Sequence, residues 1–156
     1  MSYAEDRAAI EDLMARYLFA LDFFDADAYA ETFTEDGVLD WAGGQVEGRE
    51  AIRAEAASMK ARMAEVFGVQ TTIRHFVTNI AISVEGDRAS TRAAWFEAYG
   101  EGPGSSPRMG TFGHYEDELV RTGGRWLFRR RRIVNEFLEG RRAGPENPAR
   151  NMESEA

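Results

Sequence analysis

The sequence predicts an α+β fold, with three helices in its first half and an antiparallel sheet in its second. Two observations carry this. Residues 5–24 repeat apolar side chains at helical spacing, with Ile10, Leu13, Met14, Tyr17, Leu18 and Leu21 on one stripe. From residue 70 onward the pattern turns to β-rich runs punctuated by Glu85-Gly86-Asp87, by the Gly/Pro-rich stretch 100–107 and by Thr122-Gly123-Gly124. Helices gathered on one side of an antiparallel sheet form an α+β layout.

The first helix starts among Glu5, Asp6, Glu11 and Asp12, where the helix dipole favours negative charge. At its other end Asp22 falls at the edge of the apolar stripe, an awkward place for a carboxylate without a partner. Asp25-Ala26-Asp27 breaks the chain, and a short helix over about 27–33 presents Tyr29 and Phe33. Glu35-Asp36-Gly37 is a turn. Val38–Trp41 and Gln45–Glu47 read as a small hairpin turned at Gly43-Gly44. Gly48-Arg49-Glu50 leads into a third helix through about Met63. The strands then follow at 71–84, 88–99, 108–121 and 125–138. One domain is expected over 1–139, with a polar, breaker-rich tail over 140–156.

The strand at 71–84 carries an internal conflict. Ile73, His75 and Val77 alternate onto one face, whereas Ile80, Ile82 and Val84 alternate onto the other. A β-bulge near Thr78-Asn79 would place both sets on one side.

Composition narrows the chemistry. No cysteine is present, which excludes disulfides, thiolate metal sites and cysteine nucleophiles. Two histidines are too few for a His-rich metal site, and no metal-binding spacing is evident. A net charge of −8 argues against general nucleic-acid binding. The exception, Arg129 to Arg132, would alternate between the two faces of a strand. No apolar run is long enough to span a membrane, and the first residues are polar and acidic, so a cytoplasmic location is expected. His75 and Asp22 remain as the sharpest lead, because imidazole accepts a proton near neutral pH and a partner carboxylate fixes its tautomer.

Several short segments, in this order, resemble the nuclear transport factor 2-like superfamily and its SnoaL-like branch. They are residues 9–17 (AIEDLMARY), 29–37 (YAETFTEDG), 48–52 (GREAI), 74–79 (RHFVTN), 115–117 (YED) and 123–126 (GGRW). The resemblance implies a cone-shaped α+β barrel with a deep apolar pocket. It is closest to scytalone dehydratase, bile-acid 7α-dehydratase and hexachlorocyclohexane dehydrochlorinase. It therefore implies a cofactor-free lyase or isomerase in which Asp22 orients His75 as the catalytic base, with Tyr17 as a pocket residue. Glu97 and His114 are the two candidates for a third polar group. Trp41, Trp95 and Phe112 are expected to contribute to the cavity wall, and Arg131 or Arg132 to meet an anionic group at its mouth. The implied substrate is a small hydrophobic cyclic molecule. A homodimer or homotrimer is expected, since the outer face of a curved sheet needs cover. The same resemblance also leaves open a non-catalytic accessory β subunit of a ring-hydroxylating dioxygenase, or a small-molecule binding protein.

Overall fold

The computed structural model of the protein describes residues 2–67, 72–150 and 152. Helix α1 (Tyr3–Asp22) starts at a capping box, in which the Ser2 hydroxyl and the Glu5 carboxylate each bond the other residue's backbone N–H. It ends in a Schellman arrangement: the Asp25 N–H donates to the Ala20 carbonyl and the Phe24 N–H to that of Leu21. Phe24 takes the left-handed conformation (φ 57°) that glycine usually fills at this position. Helix α2 (Ala26–Glu31) is capped by the Asp25 side chain. It is shorter than the sequence suggests, and Phe33 opens a strand rather than closing a helix.

The strands are β1 (Phe33–Trp41), β2 (Gly44–Glu47), β3 (Thr72–Glu85), β4 (Arg88–Gly100), β5 (Arg108–Thr122) and β6 (Arg125–Asn135), with helix α3 (Arg49–Phe67) between β2 and β3. They form one sheet in the order β2-β1-β6-β5-β4-β3. This corrects the expected meander with a separate hairpin. Strand β1 lies parallel to β6, so the hairpin joins the sheet and the sheet is mixed. It is open rather than closed, with β2 and β3 as its edges. Thr71, the expected first residue of the third strand, lies outside the described residues, as do residue 151 and residues 153–156 of the tail. Within the described part of the tail, Arg141 pairs with Asp40, and Met152 is buried.

Bulges decide which side chains face the helices. Thr78 pairs with Ala94 and Ala81 with Arg92, so β3 carries one extra residue there, and Asn79 adopts φ 52°. The expected bulge is therefore present. It returns Ile80, Ile82 and Val84 to the side of Val77, and all four pack against the core. A second bulge adds a residue to β5 opposite Glu97, between the pairs Phe96–Phe112 and Ala98–Met109. A third adds Arg129 to β6, between Glu118–Arg130 and Leu119–Phe128. Bulges increase local twist and bend a sheet around what covers it.

The core lies between α1 and the helix-covered face of the sheet, around Ile10, Met14, Tyr17, Phe33, Tyr115, Leu119 and Phe128. At its centre sits an ion pair. Arg131 and Asp117 are fully buried, and the Arg131 Nε and Nη2 donate to Asp117 at 2.8 and 2.7 Å. The guanidinium lies within about 4 Å of the Tyr17, Tyr115 and Phe128 ring centroids. Burial works against its charge, but Asp117 outweighs this and holds the proton on more tightly than usual.

Removing one member of a buried pair leaves the other charge unmet. Arg131→Met is expected to lower unfolding free energy by about 3–5 kcal/mol. The double replacement with Asp117→Leu should recover a large part of that loss, as urea denaturation would measure.

Candidate active site

Strand β3 and the end of α1 place His75 against Asp22. The His75 Nδ1 lies 2.6 Å from Asp22 Oδ1, and the His75 backbone N–H donates to both carboxylate oxygens, at 2.9 and 3.2 Å. One residue before, Arg74 donates to the Asp22 backbone carbonyl at 3.2 Å and stacks on Phe23, with 4.5 Å from guanidinium carbon to ring centroid. The terminal turn of α1 is thereby fixed to the edge strand.

On the other side of the ring, Glu97 stands directly across from His75 in the β3–β4 register. Its Oε2 lies 3.3 Å from His75 Nε2. Its Oε1 accepts the Thr111 backbone N–H at 3.0 Å and the Thr111 hydroxyl at 3.1 Å. The β5 bulge makes this possible, since it frees the Thr111 N–H from the ladder. Gly110 makes the room: a Cβ there would stand 2.6 Å from Glu97 Cγ and Oε1. Asn135 closes the chain of contacts, reaching the Thr111 hydroxyl at 3.4 Å.

The side chains of Asp22, His75 and Glu97 are 6%, 14% and 13% exposed, so the imidazole and Glu97 remain reachable while Asp22 is almost sealed. Ionised carboxylates only accept hydrogen bonds. An imidazole with one on each nitrogen therefore carries both protons. Burial alone would pull the His75 pKa down, but the two carboxylates outweigh it and raise it to about 9. Burial would push Glu97 up, but His75 and the Thr111 donors outweigh it and hold its carboxyl below the ordinary range.

The sequence of the SnoaL-like domain family matches residues 2–132. The chain belongs to the SnoaL-like family. An uncharacterized protein of Mycobacterium tuberculosis, Rv2910c, is 29% identical over 134 residues, covering 84% of this chain and 87% of its own. An NTF2-like protein with a cystatin-like fold from Novosphingobium aromaticivorans is 27% identical, with a TM-score of 0.70 over 88% of this chain and 87% of that one. A protein from Catenulispora acidiphila, solved in complex with S-DNPA, is 28% identical, with a TM-score of 0.72 over 85% of this chain and 95% of that one. The expected superfamily is thus the one observed. No helix among the described residues is long and apolar enough to cross a membrane.

In this SnoaL-like chain the structure brings together Asp22, His75 and Glu97, with Trp95 beside them at 6.4 Å between the ring centroids of His75 and Trp95. Trp95 is buried, stacks on Tyr115 and donates its indole N–H to the Val134 carbonyl. Trp41 lies on β1 with the same parity as buried Leu39 and packs, partly buried, against the core. Four expectations need correction. Tyr17 is fully buried, with its hydroxyl 2.8 Å from that of Tyr29, so it is a core residue. Arg131 stands in the core on Asp117 rather than at a pocket mouth, because the bulge at Arg129 turns it inward. Phe112 and His114 pair with Phe96 and Ala94 on the opposite, open face, where His114 meets Glu116 at 3.1 Å. Of the two candidates for a third polar group, only Glu97 reaches His75. Arg132 also lies on the open face, paired with Glu116.

Thr111, Gly110 and Asn135 were missed in the sequence. The available signal was Gly110 itself, since a glycine inside a strand marks a bulge or a close approach.

The raised pKa of His75 has a signed consequence for stability. The folded value lies above the unfolded one, so the contribution is complete below about pH 6.5 and fades as pH rises through about 9. It is expected to amount to roughly 1–3 kcal/mol. Histidine-detected NMR should find one titration near 9, and Asp22→Asn should lower that midpoint and flatten the stability profile above neutral pH.

Proposed function

We propose that this protein is a cofactor-free proton-transfer enzyme of the lyase or isomerase class, dehydratase-like, acting on a small hydrophobic cyclic substrate. The observation that carries the proposal is the Asp22–His75 contact at 2.6 Å, in a setting that is nearly closed to water. A carboxylate that fixes one imidazole nitrogen sets the orientation and charge of the other. The Catenulispora relative that holds S-DNPA supports a ligand-binding role for this fold at comparable identity.

For the reaction class, the site built on this dyad removes or delivers a proton next to a carbonyl or a leaving group. His75→Gln should reduce turnover of a cyclic hydroxy-ketone at least about 10²-fold while leaving the far-ultraviolet circular dichroism unchanged. Asp22→Asn should reduce it less. An unchanged rate in His75→Gln would remove the histidine from the reaction.

The partner we propose is a second copy of this chain, seated on the open sheet face. That face exposes Phe76, Phe112, Phe137 and Met109. It also carries a ladder of mixed sign, Arg132 and Arg130 beside Glu116 and Glu118, which a twofold axis can make complementary to itself. Light scattering should give a defined oligomer that Phe112→Asp and Met109→Asp together dissociate. A protein that forms a defined species only with another chain would favour the accessory-subunit reading.

A further inference from the structure

The resting geometry leaves the imidazole unable to act as the base. Its Nδ1 is committed to Asp22 and its Nε2 faces Glu97, and both neighbours are acceptors. The carboxylate oxygens differ in what they hold. Asp22 Oδ1 and Oδ2 are occupied by the His75 ring and backbone. Glu97 Oε1 takes both Thr111 donors. Glu97 Oε2 has one neighbour, the His75 N–H at 3.3 Å, and the Glu97 side chain is partly exposed. Asp22 Oδ2 likewise holds a single donor, but the Asp22 side chain is almost sealed, so Glu97 Oε2 is the reachable carboxylate oxygen of the cluster with accepting capacity to spare.

We propose, building on the proton-transfer reading above, that Glu97 is the catalytic base of this site, that His75 serves it as an imidazolium, and that Thr111 and Gly110 are positioning residues for Glu97. In the step, a C–H bond next to the substrate carbonyl breaks and its proton passes to Glu97 Oε2. The electron pair moves to the carbonyl oxygen, and the resulting enolate is met by the His75 Nε2–H. Return of the proton to another carbon completes an isomerisation. Its transfer to a departing β-hydroxyl completes loss of water. Atoms and charge balance in both, and His75 keeps its two protons throughout.

The charged groups facing His75 are Asp22 from α1 and Glu97 from β4; Arg74, on its own strand, is turned to the Asp22 carbonyl. With Asp22 and Glu97 in place, the imidazole becomes a free base only toward about pH 9. The Glu97 carboxylate is already ionised well below neutral pH.

A nitrobenzisoxazole tests the assignment without knowledge of the native substrate, because its ring opens as soon as a base removes its one acidic C–H. The pH–rate profile of the unaltered protein should be level from about pH 6 to 9 and fall only in acid. Glu97→Gln should lose at least about 100-fold, and Gly110→Ala, which keeps the carboxylate but displaces it, should lose an intermediate amount. A profile that instead climbs with a midpoint near 9, together with a Glu97→Gln variant that is faster at neutral pH, would make His75 the base. That result overturns this assignment and leaves the proton-transfer reading intact. A rate no greater than that of free imidazole and acetate at the same concentration would overturn both.

Discussion

The rest of the site depends on one carboxylate doing two tasks. Asp22 is the last residue of α1, and its side chain receives both the backbone N–H and the ring of His75. The backbone bond ties the helix end to the edge strand, so a β3 amide that would otherwise seek water is satisfied. The ring bond sets which way the imidazole points. Since both come from the same carboxylate, the ring cannot drift relative to the helix without breaking the tether as well. The turn beyond it supports this arrangement at a local cost, since Phe24 holds a left-handed conformation that a bulky residue adopts reluctantly.

The bulges determine what this tether can reach. Without the extra residue at Asn79, either His75 or the set of Ile80, Ile82 and Val84 would face away from the core. This much was legible in the sequence, because the conflict between two apolar sets on one strand has few solutions. The β5 bulge was not anticipated, although Gly110 marks it. Its effect is chemical: it releases the Thr111 N–H from strand pairing and gives it to Glu97. Choosing between Glu97 and His114 required register, because both residues lie on strands of suitable length and each is mixed in pattern. In the sheet, Glu97 falls opposite His75, while His114 pairs with Ala94 on the other face.

Arg131 shows where pattern reading fails. Four consecutive arginines in an acidic chain suggest a surface strand, and three of them do lie at least partly exposed, each with an acidic partner: Asp36, Asp40 and Glu116. The fourth is the largest fully buried side chain among the described residues. Strict alternation would turn two of the four inward, and the bulge at Arg129 leaves Arg131 alone there. What the pattern does not contain is Asp117, located two strand positions from Tyr115 and able to neutralise the charge only once β5 and β6 are in register. The parallel contact of β1 with β6 is invisible for the same reason: pairing between strands distant in the chain leaves no mark in either one's local pattern.

The inner face of the sheet thus holds two cation–carboxylate pairs of opposite character. In the first, Asp117 is fully enclosed, and its two oxygens accept from Arg131 Nε, Arg131 Nη2 and the Thr91 hydroxyl. The pair is sealed from water, and of the guanidinium nitrogens Nη1 is left without a hydrogen-bond partner. In the second, the imidazolium replaces the guanidinium, and its partner carboxylate keeps an oxygen with only one donor at the edge of solvent reach. An arginine does not release its proton under ordinary conditions, whereas a histidine can, and a carboxylate responds to the number of donors it holds. The same fold therefore fixes charge in one place and leaves it responsive in the other, and the difference follows from acceptor saturation and burial at Asp117 and Glu97.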